Sequence, residues 1–145
     1  MAVLFVLVIA LLAGRGLGVL GVQALSSWPG AARFGLAIML FFTAIAHFTT
    51  MKEDLVRMVP TWVPQPRLVV YFTGVCEVLG AVGLLVPGLQ RFAGIALIAF
   101  LVSVFPANIQ AARAAVQLRG KPATPLWLRA PMQLLFIALT WWCTQ

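Results

Sequence analysis

Five apolar runs divide the chain, at about residues 2–22, 32–50, 67–87, 91–116 and 126–143. Each comes close to the roughly 20 residues that one helix needs to cross a bilayer. Polar residues are confined largely to the connections between runs. The pattern predicts an all-α polytopic membrane protein of one domain, residues 1–145. Its expected architecture is a four-helix transmembrane bundle plus one additional N-terminal transmembrane helix. The first run is read as a membrane helix and not a signal peptide. It starts without Lys or Arg, and Arg15 stands where a cleavage region would be neutral.

The connections carry their own signals. In Lys52–Pro66 the first half can form a short interfacial helix with Met51, Leu55, Met58 and Val59 on one face. Glu53 can then pair with Arg57 across one turn. In the second half, Pro60, Pro64 and Pro66 favour an extended path around Trp62, either as a lid over one end of the bundle or as a plain connector. Val86-Pro87-Gly88 predicts a tight turn. Pro106, inside the fourth run, removes the donor that the Val102 carbonyl would use, which predicts a kink or a break.

Composition agrees with the pattern: 63% of residues are hydrophobic and 9% charged. A formal net charge of +7 invites a nucleic-acid reading, but the basic residues stand singly at segment ends. That distribution suits membrane orientation and anionic head groups, so no nucleic-acid partner is expected. Lys52, Arg57, Arg67, Arg113, Arg119 and Lys121 fall on one side of a five-span layout, and Arg33 and Arg91 on the other. The bias predicts a protein of the cell (inner) membrane with its N-terminus in the cytoplasm and its C-terminus outside. No C-x-x-C and no Cys/His cluster is present, so no metal site is expected. Cys76 lies in mid-run and Cys143 at the far end of the last one, too distant for a disulfide.

The candidate chemistry centres on Glu77. It stands in the middle of the third run, and an ionisable group buried in hydrocarbon is costly and marks a functional site by default. Thr73, Gly74, Gly80 and Ala81 share its helical face. Small residues mark close helix contacts, so Glu77 is expected to face other helices. His47, the only histidine, ends the second run, with Thr43 on its face. Asn108 follows Pro106, and Arg129 and Gln133 share a face of the fifth run. At ~1.5 Å of rise per residue, His47, Asn108 and Arg129 lie ~5 Å inside one edge, Gln133 ~10 Å and Glu77 ~15 Å. Polar groups from four helices thus meet in one half of the bundle. Either they line a small-molecule pocket, or they form a structural network that fixes helix register. Arg129 is long enough to reach towards Glu77. Desolvation would keep Glu77 neutral, and a nearby Arg129 or His47 would oppose that.

Arg33-x-Gly35, Ala46-His47-Phe48, Gly74-Val75-x-Glu77, Gly83-Leu84-Leu85-x-Pro87, Phe105-Pro106-Ala107-Asn108 and Arg129-x-Pro131-x-Gln133 resemble the DoxX family of small bacterial membrane proteins. The likeness spans about residues 33 to 143. It implies a four-helix membrane bundle and emphasises His47, Glu77, Asn108, Arg129 and Gln133. It also implies a link to quinone-dependent redox systems, though this chain lacks the cysteine pair of a thiol relay. Three functions follow as expectations. The first is binding of a lipophilic, quinone-like molecule in a redox-accessory role. Glu77 and His47 would transfer protons, and Thr43, Thr73, Asn108, Arg129 and Gln133 would hold the ligand. The second is a non-catalytic scaffold or chaperone for partner membrane proteins or a second copy. The third is a sterol-isomerase-like enzyme with Glu77 and His47 as acid and base.

Overall fold

The computed structural model describes residues 2–114, 117, 118, 120–122 and 124–145. Arg119, counted in the basic bias, and Val116, where the fourth run was expected to end, lie outside the described residues. Among the described residues six α-helices follow in order: α1 (Ala2–Val19), α2 (Trp28–Phe48), α3 (Lys52–Met58), α4 (Pro66–Leu85), α5 (Gln90–Arg113) and α6 (Leu126–Thr144). Between α5 and α6 the connection forms a minimal antiparallel pair, β1 (Gln117–Leu118) with β2 (Lys121–Pro122).

Local chemistry sets the ends. Ser27 caps α2 by accepting from the Gly30 N–H at 3.1 Å, and Pro29 occupies the first turn, where its missing N–H costs nothing. This start lies four residues before the one the apolar run predicts. Pro66 opens α4 in the same way. The turn after α4 passes through Gly88 at φ +85°, a conformation that glycine adopts without strain. Pro106 does not break its helix, since α5 is continuous from Gln90 to Arg113.

The helices α2, α4, α5 and α6 pack in a closed ring, each against the next, and α1 lies on α2. The core at their centre joins Leu7 of α1, Leu36 and Leu40 of α2, Ala81 and Leu84 of α4, Leu97 of α5 and Phe136 of α6. The outward faces are apolar as well: Phe5, Ile9, Phe72, Leu79, Phe92 and Leu134 are all exposed. Among the described residues four helices (α1, α2, α4 and α5) are long and apolar enough to cross a membrane. Among the described residues α6 falls outside that set, because Arg129, Pro131 and Gln133 dilute its first half.

The short α3 forms where the sequence places it. Its Met58 and Leu55 pack on Ala107 and Ala111 of α5, so it closes one end of the ring. The expected Glu53–Arg57 pair is not what forms. Arg57 meets Asp54 at 3.6 Å, and Glu53 reaches across to Arg67 of α4 at 3.1 Å. Both spacings along α3 allow a pair, and α4 competes for Glu53.

Candidate functional site

Two polar clusters face a cavity of about 540 Å³ at the α3 end of the bundle. The first joins α2 to α4. Thr43 Oγ1 lies 2.7 Å from Glu77 Oε2 and 3.0 Å from the Leu40 carbonyl. His47 Nε2 lies 3.5 Å from Glu77 Oε1. The other ring nitrogen, Nδ1, lies 2.7 Å from the Val70 carbonyl. A carbonyl oxygen only accepts, so Nδ1 carries a hydrogen and donates it to Val70. Thr73 also donates to that carbonyl, at 2.9 Å, and its hydroxyl sits 3.2 Å from Nδ1.

This fixed tautomer decides the electrostatics of the pair. With Nδ1–H committed, Nε2 is a bare acceptor whenever the ring is neutral. An unprotonated Nε2 facing a carboxylate oxygen would set two lone pairs against each other. A single proton between Nε2 and Oε1 removes that conflict. It gives either a neutral acid beside a neutral ring or a carboxylate beside an imidazolium, and the pair is formally neutral both ways. The side chains of His47 and Glu77 are 12% and 13% exposed, so little water screens them. Gly74 makes the approach of α2 possible: a Cβ there would sit 2.6 Å from the Cβ of His47.

The second cluster joins α5 to α6. Arg129 donates through Nη1 to Asn108 Oδ1 at 2.9 Å and through Nε to the Thr124 carbonyl at 2.8 Å. Asn108 passes the chain on by donating to Gln133 Oε1 at 2.9 Å. Gln133 is buried and donates to the Leu101 carbonyl, next in sequence to the Val102 carbonyl that Pro106 leaves without its usual donor. A side chain from α6 thus reaches the α5 backbone one residue before that carbonyl.

Of the residues picked out by sequence, Thr43, His47, Glu77, Asn108, Arg129 and Gln133 all border this one cavity. Thr73 does not; it touches His47 instead. Arg129 binds Asn108 and Thr124 rather than Glu77, whose charged or polar contacts are His47 and Thr43. Sequence reasoning missed Phe42, Met132 and Phe136 among the walls, and Ala2 and Val3 of α1. Nothing distinguishes those apolar residues from lipid-facing ones in an isolated sequence. Both cysteines are free thiols, Cys143 buried and Cys76 partly so.

No curated protein and no solved structure matches the chain. A family model does match residues 36–144, which hold every polar residue of both clusters. With three quarters of its length so matched, the chain belongs to the family described as domain of unknown function DUF8561.

Proposed function

We propose that this is a five-span membrane protein that holds a lipophilic, quinone-like small molecule between its helices, in a redox-accessory role. One observation carries the reading: a single cavity is bordered by both polar clusters, with apolar walls between them. Its volume falls within the roughly 300–1,000 Å³ of small-molecule sites, and few placed polar groups on apolar walls are their usual make-up. An apolar molecule with oxygen at each end would meet Glu77 and His47 with one end and Arg129 and Asn108 with the other. Proton exchange would run through Glu77 and Nε2 of His47, because Nδ1 is committed to a carbonyl. The exposed apolar faces of the helices support membrane insertion, since a soluble monomer rarely leaves so much apolar surface contiguous. The α6 helix, at 19 residues, is the fifth span of this reading. Relation to the DoxX family is part of the proposal and rests on the motifs quoted above.

Mass spectrometry of a lipid extract from protein purified in mild detergent tests the reading. A lipophilic molecule near one per chain is expected, and it should be lost from Ala46→Phe, which puts bulk into the cavity wall. An extract with only bulk lipid, the same for both proteins, would remove the reading.

The topology belongs to the same proposal. Lys52, Arg57, Arg67 and Arg113 lie at the α3 end, and Arg33 and Arg91 at the other, a bias that supports a cavity in the cytoplasmic half. In a background with Cys76 and Cys143 replaced by alanine, Gln145→Cys should react with an impermeant maleimide in intact cells. Arg57→Cys should not. The reverse result would invert the orientation.

A further inference from the structure

Charge at the α6 end of the cavity is left unbalanced. The chain has three acidic residues. Glu53 meets Arg67, Asp54 meets Arg57 and Glu77 meets His47. Arg129 lines the cavity, and among the described residues no carboxylate pairs with it. Its partners, Asn108 Oδ1 and the Thr124 carbonyl, are uncharged, and both are served by Nε and Nη1. The Glu77 carboxyl group is taken up by His47 and Thr43 and makes no contact with Arg129. Helix geometry adds to the imbalance. Arg129 sits in the first turn of α6, where the helix dipole is positive, and that turn has neither an acidic residue nor a side-chain cap. A half-buried cation bordering a cavity with apolar walls such as Leu101, Val104 and Met132 is costly unless an anion joins it.

From this we infer that the occupant of the cavity is an anionic lipophile, an oxyanion on an apolar body, with the oxyanion on the free edge of the Arg129 guanidinium. The planar guanidinium suits a carboxylate or a similar two-oxygen group. The apolar body lies along Phe42, Ile45, Met132 and Phe136. Across the cavity Glu77 and His47 meet any second oxygen function. The inference rests on the small-molecule reading of the cavity and replaces its quinone-like ligand by an anionic one. The same oxyanion can come from a free lipophilic acid or from the head group of an anionic bilayer lipid.

Binding of radiolabelled dodecanoate and of its methyl ester to protein in phosphatidylcholine nanodiscs tests it, with empty discs subtracted. The two probes share an apolar chain and differ in charge. Wild type should bind the acid about tenfold or more tightly than the ester, the margin of one charge-assisted hydrogen bond. In Arg129→Gln the ratio should fall to about one, and Arg129→Lys should keep part of it. Equal affinity of wild type for both probes overturns the inference, as does an unchanged preference in a folded Arg129→Gln. The wild-type ratio decides even where Arg129→Gln fails to fold. Discs doped with phosphatidylglycerol separate the sources. Loss of dodecanoate binding there supports the inference and assigns the oxyanion to a bilayer lipid, and retained binding assigns it to a free acid. If neither probe binds at all, the small-molecule reading fails and this inference with it.

Discussion

Gly74→Val is expected to destabilise the protein by about 3 kcal/mol, the upper end of the range for overpacking a tight contact. A Cβ at position 74 would stand 2.6 Å from the Cβ and 2.9 Å from the Cγ of His47, and 3.0 Å from the ring of Phe48. The His47 Cβ is fixed by the α2 backbone, so no rotation about a side-chain bond relieves that clash. Helices α2 and α4 must separate instead, and the Nδ1–H bond from His47 to the Val70 carbonyl lies directly across that seam. Gly80→Leu makes the useful contrast. There the added Cβ meets the Cδ2 and Cγ of the Leu97 side chain, atoms that rotation about its side-chain bonds can move at smaller cost. Thermal unfolding in one detergent should rank the proteins wild type, Gly80→Leu, Gly74→Val. A Gly74→Val protein as stable as wild type would mean that α2 and α4 are not held at this distance.

The extent of α2 and the position of Glu77 show what the sequence conveys and where it stops. Apolar run length places the long helices within a few residues. Hydrophobicity alone starts α2 four residues late, although Ser27-Trp28-Pro29-Gly30 holds a cap and an N-terminal proline. The inward direction of Glu77 was legible, since Gly74 and Ala81 are buried on its face. Its partner was harder to read. Counting depth by Cα position put Glu77 well below His47. Side chains on a helix tilt towards its N-terminus, however, and a glutamate extends further still. That tilt carries the Glu77 carboxylate down α4 towards the level of Gly74, where His47 crosses. The reach of Arg129 misled in the other direction. Length alone allows it to approach Glu77, but the Thr124 carbonyl and Asn108 are nearer partners, and their positions depend on the α5–α6 connection. Local spacing likewise left Glu53 free to choose between Arg57 and a residue of another helix.

Replacing Glu77 by glutamine is expected to leave stability within about 1 kcal/mol of wild type, whereas Glu77→Leu should cost about 1–3 kcal/mol. Glutamine reproduces the protonated acid: its amide N–H can donate to His47 Nε2, and its oxygen can accept from Thr43. Leucine offers neither, so Nε2 is stranded in an apolar seam and Thr43 falls back on the Leu40 carbonyl, already 3.0 Å away. The glutamine protein keeps the architecture but has no exchangeable acid, so under the proposed function it should hold ligand without proton transfer. Removing one partner of a tight buried ion pair would look different, costing roughly 3–5 kcal/mol. Arg129 enters as an independent control. Its contacts run to Asn108 and Thr124, so the effects of Glu77→Gln and Arg129→Gln should add to within about 0.5 kcal/mol. Thermal stability of wild type, the three single variants and the double variant resolves the matter. A loss in Glu77→Gln as large as in Glu77→Leu would show that His47 is held as an imidazolium against a carboxylate. Recovery of that loss on adding Arg129→Gln would show instead that the arginine, and not His47, is the partner of Glu77.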